Sequence, residues 1–123
     1  MVPRILNVSK GTTVAGRARE ARSFWARLVG LMGRRRLEEE EGLLISPCSS
    51  VQTLFMLFPI DVIFLDREAK VVRVAPALRP FRLAFGGRGA RDALEVAAGT
   101  AARSDTAVGD RLAMEDGCQG GKT

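Results

Sequence analysis

Three polar residues interrupt the most apolar stretch of the chain. Gln52, Thr53 and Asp61 lie within SSVQTLFMLFPIDVIFLD, residues 49–66. An aspartate held in a cleft can act as a general acid or base, and an amide and a hydroxyl beside it can orient a ligand by donating and accepting hydrogen bonds. These three residues are therefore the candidate small-molecule site, with Asp61 as the acid or base if a reaction occurs there. A structural use competes with that reading. Buried polar groups must find partners, and aspartate commonly accepts from backbone amides at bends such as the one Pro59 imposes. Alternation along an extended strand sends Gln52, Leu54, Met56 and Phe58 one way and Val51, Thr53, Phe55 and Leu57 the other, so Gln52 and Thr53 share a cleft only if the strand bulges. Asp66, five residues beyond Asp61, falls on the opposite face and reads as a turn former rather than as half of a carboxylate pair.

The rest of the composition removes other chemistries. The chain has no histidine, so no imidazole base, no Ser-His-Asp or Cys-His nucleophile and no histidine metal site can be assembled within it. Cys48 and Cys118 are seventy residues apart and belong to no Cys-x-x-Cys pair, so no metal and no redox motif is expected. Cys48 reads as a small core residue, and no cofactor is called for. Sixteen arginines and three lysines give a net charge of +5, which suits a polyanion such as nucleic acid. The one arginine run, Arg34, Arg35 and Arg36, is the candidate polyanion contact. The acidic block Glu38 to Glu41 follows it at once, so a self-compensating surface loop is the alternative. No apolar stretch approaches the roughly 20 residues needed to cross a bilayer, and the first sixteen residues carry no signal-peptide pattern; a cytoplasmic protein with no membrane partner is expected.

The elements that must position these residues are mostly strands. RILNV and the segment 12–18, joined by a Lys10-Gly11 turn, form a hairpin. SFWARLVGLMG follows, with Phe24, Leu28 and Leu31 at helical spacing and Ser23 as N-cap, so one substantial helix is expected over about residues 23–33. GLLIS and residues 50–57 read as strands, then a bend at Phe58-Pro59. Residues 60–65 and 70–74 make a hairpin through Asp66. Residues 90–96 read as a strand, 99–103 as one helical turn, and 111–115 as a last strand after a Val108-Gly109-Asp110 turn. At 123 residues one core suffices. The expectation is a single α+β domain over 4–115, mainly antiparallel β as a compact sheet or small barrel, with a disordered tail at 116–123.

Several separate blocks in fixed order resemble a bacterial and archaeal family known as domain of unknown function 192. They are RLVGLMGR at 27–34, EGLL at 41–44, VQTLFMLFPIDVIFLD at 51–66, VVRV at 71–74, LRPFR at 78–82, LEVAAG at 94–99 and VGDRL at 108–112. The resemblance implies a compact, mostly β domain with an early helix and names no activity. The family's central block usually reads Ile-His-Thr-Phe-x-Met-Arg/Lys-Phe-Pro-Ile-Asp. This chain has Gln52 where the histidine is expected and Leu57 where the basic residue is expected. An amide does not exchange protons near neutral pH, so Gln52 can inherit a hydrogen-bonding role but not an acid-base or metal-binding one. A non-enzymatic binding or accessory module contacting a small molecule or protein through Gln52, Thr53 and Asp61 is the leading expectation. The alternatives are an enzyme using Asp61, and nucleic-acid binding through the arginines.

Overall fold

All six residues of Ile60–Leu65 are buried, which requires cover on both faces of one strand and places it at the centre of the molecule. The computed structural model describes residues 3–21, 37–52 and 57–116. These form ten strands: β1 Pro3–Asn7, β2 Thr12–Ala15, β3 Arg17–Ala21, β4 Glu41–Ile45, β5 Ser50–Gln52, β6 Ile60–Leu65, β7 Val71–Leu78, β8 Leu83–Phe85, β9 Asp92–Ala97 and β10 Leu112–Asp116. One helix, α1, covers Thr100–Arg103.

The central sheet runs β3-β4-β9-β6-β7. All its pairings are antiparallel except β3 with β4, which is parallel. Its two faces carry different layers. On one side Ile63, Leu65, Leu94 and Val96 pack with Ile5, Val14, Ala15 and Leu112 of the three-stranded sheet β10-β1-β2. On the other, Ile60, Val62, Phe64, Ala93, Leu43 and Ile45 pack with Val51 and Ala84 of the two-stranded ribbon β5-β8. The period-two alternation of β6 thus feeds two cores, with Ile60, Val62 and Phe64 serving the ribbon side. Fully burying a side chain such as Phe64 contributes about 2–3 kcal/mol. Gly86 shows how tightly the ribbon sits: a Cβ there would lie 2.5 Å from Ala90 and 2.7 Å from the Phe64 ring.

The expected fold class is corrected. The described residues are nearly all β, in three sheets, with one four-residue helix, rather than α+β around a single sheet or small barrel. The helix expected over 23–33 lies outside the described residues. Elsewhere the apolar residues fall in continuous runs or alternate with period two, neither of which sustains an amphipathic helix. RAREA at 17–21, which has no strand-like composition, becomes β3 because it pairs residue for residue with β4 and buries Ala18. The tail expected at 116–123 also lies outside the described residues, apart from Asp116 in β10.

Local polar groups fix the turns. Asp66 accepts from the Glu68 and Lys70 amides at 2.8 and 2.9 Å, closing the β6–β7 hairpin, and those bonds lower its pKa, the Lys70 amide most. Next to this hairpin Asn7, fully buried, donates to Thr106 and Asp110 and accepts from the Lys10 amide. Asp110 also receives the Lys10 ammonium at 2.9 Å, and its pKa falls to about 2, first through the Asn7 bond and then through Lys10.

Candidate binding surface and its buried supports

Asp61 sits in β6 between Ile60 and Val62, so its side chain leaves the sheet on the face opposite theirs, the side away from the β5-β8 ribbon. It is 1% exposed. One carboxylate oxygen accepts from the Ala77 amide at 2.8 Å; the other accepts from the Gly99 and Ala101 amides at 3.1 and 2.9 Å. Gly99, at φ 95°, is the N-cap of α1, and it has no capping side chain of its own. Asp61 therefore caps that helix from a neighbouring strand, where free N–H groups and the positive end of the turn favour a carboxylate.

The Ala77 bond reaches further. Ala77 lies in the left-handed region at φ 49°, near the end of β7, where the β6–β7 register shifts. A non-glycine residue there is strained and persists only where its surroundings over-determine it. Asp61 supplies part of that determination. Beyond the kink the chain runs through Arg79, Pro80, Phe81 and Arg82 into β8. Phe81 is itself left-handed at φ 63° and 68% exposed.

β8 turns Ala84 inward, 4% exposed, and Leu83 and Phe85 outward at 63% and 60%. It pairs antiparallel with β5 in the register Ser50 with Phe85, Val51 with Ala84 and Gln52 with Leu83. Gln52 thus belongs to the ribbon. The structure does not bring its strand to the Asp61 carboxylate, which lies across the central sheet. Thr53 and Arg34, Arg35 and Arg36 lie outside the described residues.

The chain on either side of β8 is basic in sequence. Residues 70–91 contain Lys70, Arg73, Arg79, Arg82, Arg88 and Arg91 and no acidic residue, and all six cations are exposed. The Arg73 guanidinium, on β7, donates to the Phe85 carbonyl and ties that edge of β8 to its neighbour. Cys48 is half-buried; its thiol donates to the Ser50 carbonyl at 2.8 Å, and it lines a shallow depression with Pro47, Ser49, Ala90 and Arg91.

Sequence reasoning passed over one buried acid. Glu95, in β9, pairs with Leu43 and Val62 and shares the ribbon-side face with Ala93. It is 3% exposed, and its Oε1 has no hydrogen-bond partner. Burial alone pushes its pKa up to about 7. A glutamate in the middle of the otherwise apolar run ALEVA was the available signal, because central strands covered on both faces rarely admit a carboxylate. Among the described residues no cluster of three or more metal-ligating side chains occurs.

A nearly all-β domain of three packed sheets, with no helix among the described residues long and apolar enough to cross a membrane, defines the class. The family model DUF192, an uncharacterized ACR family, matches residues 5–114, and the chain belongs to that family. It is 34% identical over 113 residues to a UPF0127 protein of Pyrococcus furiosus, covering 88% of this chain and 95% of the relative. A UPF0127 protein of Thermococcus sibiricus is 32% identical over 116 residues, covering 90% and 74%. Two solved structures share the fold at 24% identity. A protein of unknown function from Novosphingobium aromaticivorans has a TM-score of 0.79, covering 92% of this chain and 84% of the other. A protein from Sinorhizobium meliloti described as a "putative transcription regulator" has a TM-score of 0.78, covering 91% of each.

Proposed function

We propose that this protein is a non-enzymatic binding module that takes an anionic partner on the outer face of the β5-β8 ribbon and the loop leading into it. The observation that carries the reading is the combination of Phe81, Leu83 and Phe85, each at least 60% exposed, with Arg79, Arg82 and Arg88 in the same run of chain and the Arg73 guanidinium bonded to the Phe85 carbonyl. Exposed apolar side chains grouped along one short segment mark interaction sites, and cations beside them favour an anionic partner. Asp61 stands behind this surface as the brace of the Ala77 kink. An acid-base role for Asp61 draws no support from this geometry, because its two oxygens serve three backbone amides. The regulator description of the Sinorhizobium neighbour is compatible with an anionic partner but is not what the reading rests on.

The test is binding of a labelled heparin fragment by fluorescence anisotropy across a salt series, with Arg79→Gln/Arg82→Gln/Arg88→Gln beside the wild type. Affinity is expected to fall steeply with salt, and the triple variant to bind more weakly with a shallower salt slope. Affinity indifferent to salt, or unchanged in the variant, removes the reading.

A further inference from the structure

We infer that the anionic partner is a single-stranded nucleic acid whose bases stack on Phe81 and Phe85 while its phosphates meet the neighbouring guanidinium groups. This rests on the reading of the ribbon as an anion-binding surface and adds the partner's chemistry.

Along one short run, cations and rings are interleaved: Arg79, Phe81, Arg82, Phe85, Arg88. A single strand presents the complementary alternation of phosphate and base, and proteins that bind it without duplex geometry pair a basic track with exposed aromatic platforms. Both rings are presented outward. Phe85 is held there because Ala84 between it and Leu83 is locked into the core. Phe81 is held by a backbone conformation that a bulky residue adopts only at a cost, at φ 63°. Strain spent on keeping an apolar ring in water makes no sense for folding and is the kind of outlier that points to function. The Arg73 bond to the Phe85 carbonyl brings a cation to the backbone of the strand that presents this ring.

The same bond weighs against an acidic peptide. A peptide adding to the ribbon as a further strand needs the free edge of β8, and the Phe85 carbonyl on that edge is already taken by Arg73. A stacked strand leaves that bond in place.

The experiment is anisotropy of a short fluorescein-labelled oligothymidylate with the full chain, against the same length of duplex, the labelled heparin fragment and a labelled glutamate-rich peptide. The oligothymidylate is expected to bind at least about tenfold more tightly than the duplex, and Phe81→Ala or Phe85→Ala to weaken it by about tenfold each. Phe85→Trp should retain binding and Phe85→Leu should not, because the ring face rather than apolar area is what matters. Both positions are exposed, so the variants are expected to keep the wild-type circular dichroism and melting midpoint. If heparin binds but strand and duplex bind equally, or the phenylalanine variants bind oligothymidylate like the wild type, the nucleic-acid inference falls while the anionic surface stands. Tighter binding of the peptide overturns it in favour of a protein partner. Should none of these polyanions bind, both readings fall.

Discussion

Replacing Glu95 by glutamine should flatten the dependence of stability on pH through the neutral range. The carboxyl is buried on the ribbon side of β9, and desolvation raises its pKa from 4.5 to about 7. With the folded value above the unfolded one, the native state holds the proton where the unfolded chain has lost it. Stability is therefore greatest below pH 4.5 as far as this group is concerned, declines as pH rises between the two values, and levels off above about 7. Over the interval from pH 5 to pH 8 the loss integrates to about 2.5 kcal/mol. The window is unusually clean because the chain has no histidine, and the depressed carboxylates Asp66 and Asp110 titrate well below it. Urea unfolding followed by circular dichroism at pH 5 and pH 8 reads the difference directly. The wild type should lose stability across the interval by an amount of this order, and Glu95→Gln should lose little. A wild-type stability that is flat between these pH values, or a variant with the same slope, would refute the claim that Glu95 is an uncompensated buried acid.

The other buried groups make further predictions. Asp61→Ala strands three backbone amides, two of them at the start of α1, and each buried unpaired donor costs about 1–3 kcal/mol, so the variant should unfold at markedly lower urea; if instead it keeps wild-type stability, the bracing role is wrong. Gly86→Ala forces a methyl against Ala90 and the Phe64 ring and should cost about 1–3 kcal/mol by thermal melting, whereas an unchanged midpoint would mean the ribbon does not pack as described. Asp110 has its pKa depressed to about 2, so its contribution is present above pH 3.8 and is lost as pH falls through 2; Asp110→Asn should be less stable than wild type at pH 6, with the gap closing under acid titration.

Much of the β framework was legible because its signals are local. The hairpin over 60–65 and 70–74 announced itself through two apolar runs around a turn-forming aspartate, and Asp66 closes that turn as expected. β3 and β8 were not legible: RAREA and LAF carry no strand signature, and each exists because a partner strand, β4 or β5, offers its edge. Tertiary pairing decides such segments, and a lone sequence does not show the partner. The candidate site divided in a similar way. Asp61 stood out as a polar residue in an apolar stretch, but its neighbours Gly99, Ala101 and Ala77 come from 16 to 40 residues away. Glu95 was visible by the same criterion and was passed over. The basic, acid-free segment 70–91 could be counted, yet only the inward turn of Ala84 shows that Leu83 and Phe85 face solvent together.

The central claim, that the ribbon's outer face is the working surface, is tested most directly by amide NMR of the labelled protein titrated with a heparin fragment. Shifts concentrated at residues 79–88 and at Arg73, with those around Asp61 moving little, are the predicted result. Shifts centred on Asp61, Gly99 and Ala101, or none at residues 79–88, would contradict it.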